Sequence, residues 1–134
     1  DNRVRIAGSI VSRRGQATFR QSLIRAYSGR CAFTNYNATD ALEAAHILGY
    51  LGNESHHISN GILLRADIHT LFDLGLLAVR SRSMSVDVAP SLMATPYADL
   101  EGKTMSLPTS DDERPSVNAL DMHWGDSKCF SEST

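Results

Sequence analysis

Four residues of this 134-residue chain have types and spacing suited to chemistry: His46, Asn60, His69 and Asp73. His69 and Asp73 stand four positions apart, so in a helix their side chains leave the same face about one turn apart. An imidazole and a carboxylate so placed suit a divalent ion of intermediate hardness, with its remaining positions open to water and to phosphate oxygens. Such an ion is catalytic in kind rather than structural. His46 lies too far along the chain to share that face and is left to serve as a base. An ordinary histidine pKa of about 6.5 lets it take a proton from water at neutral pH, a contribution of roughly 100- to 10,000-fold in rate.

These residues need elements to hold them. The apolar run Leu42 to Ile47 reads as a strand that delivers His46 at its end. Asn60-Gly61 is a strong hairpin-turn signal followed by the apolar stretch Ile62 to Arg65, so the Asn60 amide is expected between two strands, tying the loop that carries His46. Asp67 to Leu74 reads as the ligand helix, with Asp67 as its cap and Gly75 as its close. Upstream, Gln16 to Ser28 carries Phe19, Leu23, Ile24 and Tyr27 at helical spacing before Gly29, which predicts a helix that covers the hairpin and turns Arg20 and Arg25 outward. Cys31 to Phe33 is expected as a short strand, and Leu76 to Val88 as a further hairpin bending near Arg80 to Ser83.

In order, the spacing His46, Asn60 fourteen residues on, His69 nine further and Asp73 four beyond resembles the HNH endonuclease motif. The likeness extends to Gly29-Arg-Cys-Ala-Phe-Thr34, Leu42-Glu-Ala-Ala-His-Ile47 and the run from Asn60 to His69, and is similar to the branch found in bacterial restriction and defence nucleases. It covers roughly residues 13 to 80. The resemblance implies an α+β chain with a ββα-metal core, flanked here by an N-terminal helix and an irregular C-terminal extension. It also implies roles: His46 as general base, Asn60 as the brace of its loop, His69 as a metal ligand, and Asp73 in the place where many relatives carry a second ligand. The implied reaction is hydrolysis of DNA phosphodiester bonds leaving a 5′ phosphate, with one divalent ion. Magnesium or manganese is the first expectation, with nickel or zinc as alternatives.

Two features depart from the wider family. Many relatives place a metal-binding Asp or His immediately before the base, where this chain has Ala45; Glu43 and Asp40 are the nearby replacements, although strand alternation puts Glu43 on the face opposite His46. Paired Cys-x-x-Cys zinc motifs are absent, since the two cysteines are Cys31 and Cys129. Each piece alone has an ordinary explanation: a packed histidine, a hairpin turn, a surface pair on a helix. His56-His57 reads as a solvated loop pair, and His123 beside Trp124 as packing.

The chain is expected to form a single domain, with a core over about 13 to 88 and a C-terminal wrap over 89 to 134 containing a short helix near Asn118 to Trp124 and a frayed end from Ser127. It begins with Asp1, from which we expect a fragment or processed product. No run of about 18 apolar residues is available to span a membrane. Net charge is −2 but unevenly spread: residues 1–82 hold ten Arg against six acids, and residues 83–134 hold three basic residues against nine acids. Seven Arg lie in the first thirty positions. Arg13, Arg14, Arg20 and Arg65 are therefore the expected contacts to a DNA backbone, the guanidinium fork suiting phosphate. No secretory signal is in view, and reduced thiols in a bacterial cytoplasm are the expected setting. No sequence-reading element is visible, so target choice would fall to a second copy of the chain or to a recognition domain. The small size also fits an effector toxin, and Ala45 a module that binds DNA without cutting it.

Overall fold

The computed structural model describes residues 16–49 and 53–129. Within them, α1 is helical over 16–26, and its apolar positions Phe19, Leu23 and Tyr27 are all buried. Ser28 and Gly29 both take positive φ, and the Gly29 N–H reaches back to the Ile24 carbonyl at 2.8 Å, closing the helix as the glycine predicts. Arg25 faces out. Arg20 does not: its Nη2 donates to the carbonyls of Thr39 (3.0 Å) and Leu42 (3.2 Å), tying α1 to the start of the first strand.

Residues 31–33 form a turn rather than the expected strand. Asn35 sits at φ 65°, and the Cys31 N–H bonds to the Tyr36 carbonyl at 2.8 Å, so the chain doubles back before a ladder can form. Only Ala32 bridges, its N–H going to Leu63 and its carbonyl to Ser106.

Strands β1 (Leu42–His46) and β2 (Gly61–Arg65) pair antiparallel in unbroken register, from Leu42 opposite Arg65 to His46 opposite Gly61. Asn60-Gly61 is not a two-residue hairpin turn. The strands are joined by residues 47–60, which include 3-10 turns at Asn53–His56 and Ile58–Asn60, and Gly61 is an ordinary extended residue at φ −133°. The reason for glycine is space: a Cβ there would lie 2.5 Å from Phe19 Cζ and 2.8 Å from Leu23 Cδ1. Helix α1 thus rests directly on the β2 backbone.

Helix α2 (Ala66–Asp73) follows β2 without a linker, burying Ile68 and Phe72. Asp67 does not cap it, because Arg65 holds the cap position and Asp67 lies inside the first turn. There its carboxylate accepts from Arg65 Nε (2.6 Å), Arg65 Nη2 (3.0 Å) and the Tyr97 hydroxyl (2.7 Å), which holds it well below the usual range, at about 2. Gly75, at φ 73°, closes the helix.

A second antiparallel pair, β3 (Leu77–Arg80) with β4 (Ser85–Val88), follows the predicted hairpin. Residues 102–105 run along β4, with Val86 N–H bonded to the Lys103 carbonyl and Met105 N–H to Met84. Helix α3 (Val117–Asp126), capped by Ser116, packs on β3. Residues 127–129, expected to fray, are instead pinned: Lys128 N–H bonds to Gly75 at 2.7 Å, and the Cys129 thiol donates to the Asp87 carbonyl at 3.2 Å. Both cysteines are free thiols. Helices and two small antiparallel sheets share one core, with Phe33 edge-on to Phe72 at 6.3 Å, which is the expected α+β class.

Gly61→Ala should destabilise the chain by about 1–3 kcal/mol, the usual cost of overpacking a filled core, because Phe19 and Leu23 have no room to retreat. Denaturant unfolding measures this; a midpoint equal to wild type would show that α1 is not seated as described.

Candidate active site

Strand β1 ends at His46 and α2 presents His69 and Asp73, and these three side chains line one open cavity of about 810 Å³. Its wall also includes Ala44, Ile47 and Leu48 from β1 and the residues after it, and His123 and Asp126 from α3. The cavity thus gathers residues far apart in sequence onto one surface.

Carboxylates flank His69 on both sides. Nδ1 lies 2.7 Å from Glu43 Oε1, and Nε2 lies 3.1 Å from Asp73 Oδ2. Glu43 is not among the cavity residues; it approaches from the far side of the ring, consistent with the unbroken strand register that puts it opposite His46. A neutral imidazole has one N–H. If Nδ1–H is given to Glu43, Nε2 and Asp73 Oδ2 face each other with lone pairs, and a cation must lie between them, either a second ring proton or a metal ion. Two donors on one ion at about 2.1 Å and about 90° to each other stand about 3.0 Å apart, close to the spacing found here. The donor set therefore fits a divalent ion held by His69 Nε2 and Asp73, with Glu43 orienting the imidazole from behind in the way carboxylates commonly support metal-bound histidines. Among the described residues, no group of three or more His, Cys, Asp or Glu side chains is placed to hold a metal ion together. Ala45 cannot contribute, being fully buried opposite Ile62.

His46 has a different environment. Its ring stacks on Phe19 at 4.6 Å, 8° from parallel, and its Nε2 lies 3.1 Å from His56 Nδ1. Burial pushes its pKa below the ordinary histidine value; His56 and His69 add to that, and Asp73 opposes it. His56, read from the sequence as solvated, instead meets the His46 ring, a contact that spacing missed. No helical or strand periodicity links positions 46 and 56, because a loop folds one onto the other.

Asn60 ties that loop. Its Oδ1 accepts the Leu48 N–H at 3.0 Å, while its Nδ2 donates to the carbonyls of Leu48 (3.1 Å) and Ser55 (3.0 Å). The side chain copies a strand partner for Leu48 and anchors the turn carrying His56. His123 stacks face to face on Phe72 at 3.7 Å and donates Nε2–H to the Phe72 carbonyl at 2.8 Å, holding the end of α2 next to Asp73; burial lowers its pKa. Of the arginines expected to meet DNA, Arg13 and Arg14 lie outside the described residues. Arg20 is bonded to backbone carbonyls, and Arg65 is clamped by Asp67 with its guanidinium 4.3 Å over the Tyr36 ring, so each serves as a strut within the fold.

A partly buried imidazole of lowered pKa beside an imidazole–carboxylate pair is a set of groups with which hydrolysis of a phosphate ester can be carried out. Residues 31–80, the segment that carries all four residues, match the model of the HNH endonuclease family, in agreement with the resemblance read from the sequence. No curated protein matches the chain. The described residues contain no helix long and apolar enough to cross a membrane.

Asn60→Ala removes three hydrogen bonds and strands the polar groups of Leu48 and Ser55, which should cost about 2–3 kcal/mol and lower Tm by roughly 6–12 °C. Thermal melts followed by circular dichroism test this, and an unchanged Tm would deny the brace.

Proposed function

We propose that the protein is a metal-dependent DNA endonuclease in which His46 activates the attacking water and one divalent ion is held by His69 and Asp73. The observation that carries this reading is the convergence, on one cavity within the family-matched segment, of a histidine kept unprotonated by burial and an imidazole–carboxylate pair 3.1 Å apart.

When bound, the ion would supply Lewis-acid stabilisation of the charge that builds on phosphorus and on the leaving 3′ oxygen. The rest falls to the chain. His46 takes the proton from water. Asn60 holds the loop behind it, and Glu43 fixes the tautomer of His69. Strands β1 and β2 with α2 then act as a ββα-metal core, giving a 5′-phosphate product. Magnesium or manganese suits a hydrated site with a single imidazole and one carboxylate, ahead of nickel or zinc. The basic N-terminal part, Arg13 and Arg14 in particular, would follow the DNA backbone, while target choice would come from a second copy or a separate recognition domain. A role in bacterial restriction or defence fits these features.

The depressed pKa of His46 has a definite sign. The base form persists to lower pH than for an ordinary histidine, so the acid limb of the pH–rate profile should fall below about 6.5. An acid limb well above that value would remove His46 from the role.

Supercoiled plasmid incubated with a panel of divalent ions tests the whole reading. Nicking should require a metal and stop with chelator. His46→Ala and His69→Ala should each reduce it by roughly 100- to 10,000-fold. Undiminished cutting by His46→Ala would sink the base assignment, whereas DNA binding without cutting by the wild-type chain would leave a binding module.

A further inference from the structure

We propose that His56 is a positioning residue for His46: it accepts a hydrogen bond from His46 Nε2–H and so commits Nδ1 of His46 to receiving the proton from water. The inference rests on His46 being the base, and it assigns work to a residue outside the four-residue motif.

The geometry leaves few arrangements. Two imidazole nitrogens 3.1 Å apart hold one proton between them, so either His46 donates from Nε2 or His56 donates from Nδ1. In the second case the His46 lone pair would be occupied by His56 and its Nδ1 would carry the proton, leaving no nitrogen ready for water. In the first, Nδ1 is the basic nitrogen, and the imidazolium formed on proton uptake keeps its Nε2–H bond to His56. An orienting acceptor behind a catalytic histidine performs the same task in base–orienter pairs generally, where it fixes tautomer and ring angle. Here the acceptor is a second imidazole, which orients without placing a negative charge on the base.

Packing supports that arrangement. The rings of Phe19, His46 and His56 form a closed cluster, with His46 parallel to Phe19 at 4.6 Å and His56 tilted against Phe19 at 5.5 Å and against His46 at 5.1 Å. Rotation of His46 would break both the stack and the hydrogen bond. His56 is itself delivered by the 3-10 turn Asn53–His56, whose Ser55 carbonyl accepts from Asn60 Nδ2 at 3.0 Å. Asn60 therefore acts on the base through His56 as well as through Leu48. Among the described residues, the other titratable groups toward this cluster include His69 and Asp73 on α2, with Glu43 behind His69, and His123 and Asp126 of α3 across the cavity.

The test uses the full chain with one fixed metal ion. Nitrogen-15 spectra of the histidine side chains should show His46 as the Nε2–H tautomer; an Nδ1–H tautomer would overturn the proposal without reference to activity. In plasmid nicking, His56→Phe keeps a ring on Phe19 and removes Nδ1. It should lower kcat by roughly 10- to 100-fold with KM unchanged, and move the acid limb to higher pH, because a neighbour that depresses the His46 pKa is gone. His56→Asn places an amide near the position of Nδ1 and should recover part of kcat while the acid limb stays displaced. Wild-type kcat and pH profile in both variants, with His46→Ala inactive, would overturn this role and leave the base assignment standing. Activity surviving in His46→Ala would instead bring down the functional reading itself.

Discussion

The close approach of Phe19 to Gly61 is the constraint on which the site depends. A backbone without a side chain at that point lets α1 settle on β2, and the ring that fills the space continues across the strand pair to stack on His46. One contact therefore sets both the distance between helix and sheet and the angle of the histidine at the strand end. Because protein interiors are close-packed, a ring held this way does not drift by fractions of an ångström, and a base held against it has a defined direction. Arg20 reinforces the same junction from the side through the Thr39 and Leu42 carbonyls, so the chain spends a cation on fixing the approach of α1.

The C-terminal wrap has a related task. Helix α2 is short, and its last turn carries Asp73, so the ligand pair is only as well placed as that end of the helix. His123 bonds to the Phe72 carbonyl and stacks on its ring, while residues 127 and 128 close over Gly75. Trp124 donates to Asp87, which also pairs with Arg80, locking α3 to the second hairpin. The irregular segment is thus the outer support of α2 rather than a loose tail.

Much of this was legible because it is local. The i, i+4 placement of His69 and Asp73, the apolar stripe of α1 and the strands bordering His46 and Gly61 follow from periodicity, which survives in the sequence whatever packs around it. What was lost depends on contacts between distant positions. Gly61 reads as a turn residue in sequence but is present because Phe19 leaves no room, and Cys31 to Phe33 reads as a strand but turns at Asn35. His56 meets His46 only through a folded loop. Arg20 reads as an outward cation because its carbonyl partners, Thr39 and Leu42, lie outside its own helix. The reach of Glu43 to His69 was hidden for a different reason: alternation gives the face of a strand but not the length over which a glutamate can extend beyond its edge.

Two histidines on one cavity wall have contrasting surroundings. Burial, with the imidazoles of His56 and His69 nearby, disfavours positive charge on His46 and lowers its pKa. His69 sits between the carboxylates of Glu43, 2.7 Å from Nδ1, and Asp73, 3.1 Å from Nε2. On the proposed reading, this contrast lets one residue type serve as both base and ligand in a hydrolysis. Exchanging the two environments would require moving Glu43 and Asp73 as well as Phe19. The division of labour therefore resides in the packing of α1, β1 and α2 together, and no single element of the three carries it alone.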